Sequence, residues 1–584
     1  MVDEWLVSTK PHERFSFYTR ANIGEVFPDP VAPLSFTWFE TEGTIGGAEQ
    51  GFRDAYERIG VITADELPPD DAVFLGVSGG YGYLNASVLR LLGHRAPGMT
   101  YKDIDDSFFG DAPGVPEFVA DPQDDRPELT EKIGASFQWT LTTPDLPDVA
   151  EQEQLVNGFR ESRPDLTSLS DRELVDYAWV LLDDHFRKLF GQHIFITFLA
   201  TVPVGIITKV CEAVGRPTDV LKLIAGVGNV ESAAPSMAMW KLGRIAAKSQ
   251  VLTSAFEEGI NGLFARIQSI DHPDASAFLA EFDEFLFAYG CRGPNEWETR
   301  SPTWETEPDL GLAAIDRMRL APEDADPERM QAARAAEREA VGAEITAMLA
   351  GDAETQGQFM AALHSATVFM PGRERTKTNC IKLVHEARMA LQEWGRRAVD
   401  AGTFPRMQSY GLLTKEEMFE HLDNNSDVHD LLAEREELMI EVTALQEPFL
   451  FDGPAPLMAE FPRADDVVVE TLVAGDAIQG LPGCPGKARG TARVVLDSHD
   501  PTALAPGDIL VAPITDPSWT PLFVPAAAVV VNVGAPLSHA IIVSRELGIP
   551  CVTSATGATQ AIPDGATIEV DGDTGMVTVI DLGE

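Results

Sequence analysis

The chain has 584 residues, of which 44% are apolar. At roughly 150 residues per domain this is enough for three or four domains with buried cores, and it excludes a disordered tail. Its 44 Lys and Arg stand against 92 Asp and Glu, a net charge of −48, and a surface that acidic repels phosphate backbones and anionic lipids, which sets aside nucleic-acid and membrane-surface binding. Cys211, Cys291, Cys380, Cys484 and Cys551 stand singly with no CxxC pair. That pattern argues against a disulfide framework or a zinc site and suits a reducing cytoplasm.

In chain order, the first 150 residues are mixed. MVDEWLVSTKPHERF has no apolar core of signal-peptide type, AVFLGVSG (72–79) predicts a strand, and DPQDDRPELTEK (121–132) predicts a polar connector. From 165 to 450 the apolar spacing becomes helical. It runs through SLSDRELVDYAWVLLDDHFRKLF, SAFLAEFDEFLFAYG, DPERMQAARAAEREAVGAEITAMLAG and TNCIKLVHEARMALQEWGRRAVDAG, with Gly290 and Gly402 as stops. The uncharged stretch Gly191 to Thr208 just reaches bilayer length, but its Gln192, His193, threonines and Pro203 predict a buried, kinked core helix. Residues 451–475 are Pro-rich and predict a hinge linker. Residues 476–584 then carry short β-branched runs (GTARVVL, GDILVAP, AAVVVNVG, ATIEVDG, GMVTVI) around one helix from Ser538 to Leu547, the pattern of a compact α/β domain. The expected architecture is therefore multidomain α+β, with a largely helical 1–450 region followed by the α/β domain.

The chemistry concentrates in GAPLSHAIIVSRELGIPCV, Gly534 to Val552. A strand and a Gly/Pro turn deliver His539 to the first turn of a helix, with Ser538 as the expected N-cap and Gly548 and Pro550 as stop signals. A neutral imidazole nitrogen there is able to attack a phosphoryl group, and the helix N-terminus offers N–H groups to the resulting anion. By residue type alone, a capping or surface histidine is the commoner case.

The segment from GLPGCPGKARGTARVV (480–495) through the His539 helix to IPDGATIEVDGDTGMVTVI (562–580) resembles the swivelling phosphohistidine domain of the PEP-utilising enzymes. That resemblance implies that His539 carries a phosphoryl group. The preceding region resembles, in four collinear stretches, the acceptor-binding part of rifampicin phosphotransferases and of the large subunit of phenylphosphate and 4-cresyl phosphate synthases. The stretches are YTRANIGEVFPDPVAPLSF, GGYGYLNASVLRLLGHRAPGMT, YGCRGPNEWETRSPTWETEPD and PGRERTKTNCIKLVHEARMALQEWGRRAVDAG.

Arg373 and Lys377 in GRERTK lie four apart, on one helical face, where two cations would stabilise a migrating phosphoryl group. A solvated basic helix start is the alternative, and the resemblance, which places a catalytic Arg and Lys at this spacing, favours the first. Glu374 between them is expected as a structural ion-pair partner. Arg292 and Glu296, in a glycine-rich turn, are candidates for acceptor or phosphate contact, or equally for a salt bridge that holds the loop. Asn22 and Glu25, beside Arg20, are candidate acceptor contacts, and His385 a candidate general base, against capping and core roles.

The resemblance implies an ATP-grasp domain ahead of the acceptor region in the PEP synthases and rifampicin phosphotransferases, whereas this sequence opens at the acceptor-like segment, as in the split phenylphosphate-type synthases, and has no GxxxxGK[ST] motif. The expectation is a split enzyme. ATP and Mg²⁺ would bind a partner ATP-grasp subunit, the β-phosphoryl group would pass through His539 to the hydroxyl of a small aromatic such as phenol or 4-cresol, and AMP and phosphate would be released. A rifamycin-like acceptor and a non-enzymatic phosphocarrier are the alternatives.

Overall fold

The computed structural model describes residues 5–39, 46–68, 71–109, 114–227, 234–464, 469–496, 504–515, 519–534 and 538–582. The chain forms two compact units, and each draws on several stretches. The first is Met1–Val202, Trp297–Ser301 and Arg375–Val468; the second is Pro203–Glu296, Pro302–Glu374 and Val469–Glu584. As the sequence pattern predicts, the architecture is multidomain α+β.

The first unit holds a small antiparallel sheet of β1 (Phe17–Thr19), β2 (Leu75–Ser78), β3 (Tyr81–Asn85) and β4 (Leu450–Asp452), in the order β2-β3-β1-β4. β2 and β3 are joined through Gly79 and Gly80, both at positive φ (55° and 88°), the two-residue hairpin turn that glycines make without strain. The Pro-rich 451–475 stretch does not begin as a linker. Phe451 pairs with Tyr18 across β4 and β1, and Arg463 bridges to Leu445. Within this stretch the chain passes from the first unit to the second between Val468 and Val469, and residues 465–468 of the expected hinge lie outside the described residues.

Two long helices pass from one unit into the other. Asp171–Ala213 starts on a Ser170/Glu173 capping box, passes a π-turn at Leu182–Phe186 and continues through Pro203. By length and composition this helix is able to cross a membrane, but half of its most apolar window is buried within the protein, as in a core helix. The second, Ala353–Asp400, runs for 48 residues straight through Pro371. The sequence pattern places a helix start at GRERTK; instead the basic residues lie mid-helix. A proline costs one backbone hydrogen bond there, and the packing of buried Phe369, Cys380, Ile381, Val384 and Leu391 outweighs it.

The second unit combines helices Ala234–Lys248, Pro273–Tyr289, Pro308–Leu320 and Pro327–Met348 with an eight-stranded sheet. Its strands are β5 (Ala477–Gln479), β6 (Leu481–Cys484), β7 (Lys487–Val494), β8 (Ile509–Ala512), β9 (Ala528–Val531), β10 (Cys551–Thr553), β11 (Thr567–Asp571) and β12 (Met576–Asp581), in the order β5-β12-β11-β7-β8-β9-β10-β6. β7, β8, β9 and β10 are parallel neighbours.

β8, β9 and β10 are buried on both faces, which explains why they read as continuous apolar runs. Ile509, Val511, Ala528 and Val530 point to a core shared with Val552, Ile568, Val570 and Val577. Their alternates Leu510, Ala512, Val529 and Val531 join a second core with Trp519, Phe523, Val543 and Leu547. That second core is continuous with Met239, Phe278, Phe282, Trp304 and Leu312 of the helices. The α/β domain is therefore docked on the helical bundle of its own unit.

Candidate functional site

His539 opens the helix His539–Leu547, which connects β9 to its parallel neighbour β10. In open parallel sheets the space beyond the carboxyl ends of the strands is where ligands are received, and the β9 connection delivers His539 to that edge. The helix ends at Gly548 in the left-handed region (φ 68°), as the sequence predicts. Residues 535–537 of the preceding turn lie outside the described residues.

Ser538 occupies the N-cap position with extended backbone, but its side chain makes no capping bond, which corrects the cap expected from the sequence. Its Oγ is buried and has no hydrogen-bond partner among the described residues. The Ser538 side chain thus consumes none of the N–H groups of the helix N-terminus, which are the groups an anion site uses.

The imidazole is 7% exposed. Its Nε2 lies 3.1 Å from Thr520 Oγ1 and its Nδ1 3.3 Å from Thr515 Oγ1, and Phe523 packs edge-on at 5.9 Å. Thr515 and Thr520 both come from the β8–β9 connection, at the same carboxyl edge of the sheet. Sequence reading misses them. A signal was present, since successive parallel strands place their carboxyl-end loops side by side.

The far end of the same helix is clamped to the bundle. Glu546 is buried and accepts from the Gly226 N–H at 3.1 Å and from Gln331 Nε2 at 3.5 Å. Arg338 donates to the Gly226 carbonyl at 2.8 Å, and Arg334 to that of Gly548 at 3.5 Å. Gly226 is at φ 58° with its Cα against the backbone of Ala335, where a Cβ would collide.

Burial raises the Glu546 carboxyl above its ordinary value of 4.5. The folded chain therefore holds a proton that the unfolded chain releases, and stability falls as pH rises from 4.5 through the folded value. Glu546→Gln removes that titration while keeping a carbonyl acceptor for Gly226. Its unfolding midpoint should exceed that of the natural chain by a margin that grows with pH above 4.5, read by thermal denaturation across a pH series.

The other candidates divide between the two units. In the second, Arg373 is partly exposed and its Nη1 lies 3.5 Å from Glu374, and Arg292 and Glu296 are 2% and 1% exposed and pair at 3.0 Å. The Trp304 N–H also donates to the Arg292 carbonyl at 2.8 Å and that of Glu305 to the Gly290 carbonyl at 3.0 Å. These contacts staple the 290–305 loop, so the structure gives Arg292 and Glu296 the loop-holding geometry.

In the first unit, Lys377 is half-buried one turn beyond Arg373 on the same helix. His385 is fully buried, with Nδ1 3.5 Å from Arg388 Nη1, and Arg388 in turn donates to the carbonyls of Glu298 (3.0 Å) and Thr299 (3.2 Å). That is the setting of a core histidine. Asn22 sits at φ 63° before the short helix Ile23–Val26 without a side-chain cap, and Glu25 is half-buried on that helix. Arg20 shapes this turn by donating to Glu447 and to the carbonyls of Gly82, Phe27 and Pro28. Among the described residues no group of three or more His, Cys, Asp or Glu is arranged to hold a metal ion.

Residues 192–374 match the rifampicin phosphotransferase fourth domain, and residues 504–575 match the PEP-utilising enzyme mobile domain. An uncharacterised protein of Mycobacterium tuberculosis is 32% identical over 311 residues, which cover 53% of this chain and 32% of that protein. A rifampicin phosphotransferase of Streptomyces sviceus is 30% identical over 306 residues, 51% of this chain and 34% of its own. The prodigiosin synthesizing transferase PigC of Serratia marcescens is 26% identical over 438 residues, 72% of this chain and 47% of its own. The chain spans a third to a half of the length of these relatives. The matched helical domain supplies the bundle on which the mobile domain docks, and the matched mobile domain carries His539 at the carboxyl edge of its sheet. On both counts the chain resembles the PEP-utilising enzymes of the rifampicin phosphotransferase type.

Proposed function

We propose that this chain relays a phosphoryl group from ATP, bound with Mg²⁺ on an ATP-grasp partner, through His539 to the hydroxyl of a small aromatic acceptor. The observation that carries the proposal is His539 itself, on an uncapped helix start within the matched mobile domain. A neutral ring nitrogen supplies the nucleophile, and the helix N-terminus supplies N–H groups and partial positive charge for the phosphoryl oxygens. Arg373 and Lys377 are assigned to the transfer step, where fixed cations stabilise charge on the moving group. Because the donor is proposed to bind the partner and the acceptor this chain, the α/β domain would swing as a rigid body on the 451–475 linker expected from the sequence.

Phenol and 4-cresol lead as acceptors on the resemblance to phenylphosphate-type synthases. A rifamycin hydroxyl is the second reading, favoured by the match of residues 192–374 and by the Streptomyces relative. The test is incubation with ATP and an ATP-grasp protein, with phenol, 4-cresol and rifampicin offered separately and mass spectrometry read for a gain of one phosphate.

The same preparation tests the division of labour. The purified chain alone should not label itself from ATP, and the ATP-grasp protein should restore labelling. Self-labelling of this chain in the absence of other proteins would overturn the partner assignment.

A further inference from the structure

We infer that the groove between helices Pro327–Met348 and Ala353–Asp400 binds a small aromatic phosphate, and that the bound phosphate draws Arg338 from the Gly226 carbonyl and so loosens the α/β domain from its bundle. The choice of an aromatic phosphate rests on the transfer proposed above, of which it is the product class. The groove lies wholly in the second unit, has a volume of about 350 Å³ and is lined by side chains of both helices. That volume is near the lower end of small-molecule sites, roughly 300–1,000 Å³, and suits a single ring.

The lining has an apolar and a polar part. Met360, 54% exposed, and half-buried Leu363 offer a surface to a ring, and a thioether adapts readily to an aromatic edge. Gly342 lets the two helices approach, since a Cβ there would stand 3.3 Å from Leu363 Cδ1. The polar part is Arg338 and His364. Half-buried Arg338 donates to the Gly226 carbonyl at 2.8 Å and has no carboxylate ion pair among the described residues. A guanidinium has five N–H groups. In a chain with 92 acidic side chains, one that is bonded to a carbonyl alone retains charged donors for an anion. His364 is exposed and adds a ring N–H, while Glu339, the carboxylate of the lining, is exposed to water. Arg373 lies nine residues beyond His364, about two and a half turns, and therefore on the opposite face of the helix. The groove is thus distinct from the place assigned to the transfer step.

Arg338 also belongs to the clamp on the α/β domain. It fixes the Gly226 carbonyl, and the Gly226 N–H donates to Glu546 at 3.1 Å in the last turn of the His539 helix. Gly226, at φ 58°, has the freedom to turn once its carbonyl is released. A phosphate on Arg338 competes with that carbonyl. It therefore binds the released clamp more tightly than the set one and shifts the population toward the loosened domain. Product would in this way free the carrier for its next transfer.

The experiment titrates phenyl phosphate into the full-length chain by calorimetry, with phenol and inorganic phosphate as separate titrants. It then follows hydrogen exchange in peptides that cover Gly226 and His539–Leu547. Phenyl phosphate should saturate one site and bind at least tenfold more tightly than either part alone. Arg338→Gln should weaken it about tenfold, the scale of one charge-assisted hydrogen bond, and should speed exchange in both peptides without ligand. Ala343→Phe fills the groove from an exposed position and should abolish binding with exchange unchanged. In the natural chain, saturating phenyl phosphate should speed exchange in both peptides.

That set of results supports the inference. No saturable binding, binding indifferent to both substitutions, or phenol that binds equally well overturns the site. Saturable binding with unchanged exchange overturns the link to the clamp. None of these measurements uses ATP or a partner, so their failure leaves the carrier role of His539 standing. Absence of His539 labelling with ATP and the ATP-grasp protein overturns that role and leaves a measured phenyl phosphate site in place.

Discussion

Replacing His539 by Gln should abolish both acid-labile labelling of the chain and product formation, with the fold retained. The amide has no nitrogen lone pair to form an N–P bond, so the loss is that of the nucleophile and not a fraction of the rate. Gln is the more informative substitution, because His539 is nearly buried among Thr515, Thr520 and Phe523. An amide still offers a donor and an acceptor to the two hydroxyls, whereas Ala leaves both unpaired and opens a cavity. Circular dichroism and the unfolding midpoint, which should fall by no more than about 4 °C in His539→Gln, separate chemistry from folding. Turnover at the natural rate in this variant would refute the phosphohistidine mechanism.

The second large effect is expected at the basic pair. Arg373→Ala and Lys377→Ala should each lower kcat by about 10²-fold, the usual scale for removing one charge-stabilising donor from a transition state. Labelled His539 should accumulate, because the loss falls on discharge to the acceptor and not on loading. Arg373 is partly exposed beside Glu374 and Lys377 is half-buried, while Cys380, Ile381 and Val384 carry the packing. The helix should therefore survive both substitutions. Unchanged kcat with unchanged labelling would return the pair to a surface role.

The sequence alone determined the elements whose signals are local. The His539 helix is bounded by Gly548, which only a left-handed residue position explains, and by an apolar strand and turn on its other side. The parallel strands read as short β-branched runs because both of their faces are buried, and the Ser170 capping box marks its helix start within four residues. His539 was legible for the same reason, since a histidine at a helix start in a collinear family pattern needs no distant residue to be noticed.

Tertiary structure decided whatever depends on residues far apart in the chain. Thr515 and Thr520 reach His539 only because β8 and β9 are parallel neighbours. Arg292 and Glu296 are four apart in sequence, and their burial, which favours a paired over an unpaired charge, brings them together at 3.0 Å. His385 is buried beside Arg388, a setting that its spacing from Lys377 does not display. The start of the Pro-rich 451–475 stretch pairs through β4 with β1, more than four hundred residues away in the chain, a partner that no local pattern displays. The cost of Pro371 within helix Ala353–Asp400 is local and visible in the sequence, while the packing that carries the helix past it is summed over contacts no single segment of sequence displays.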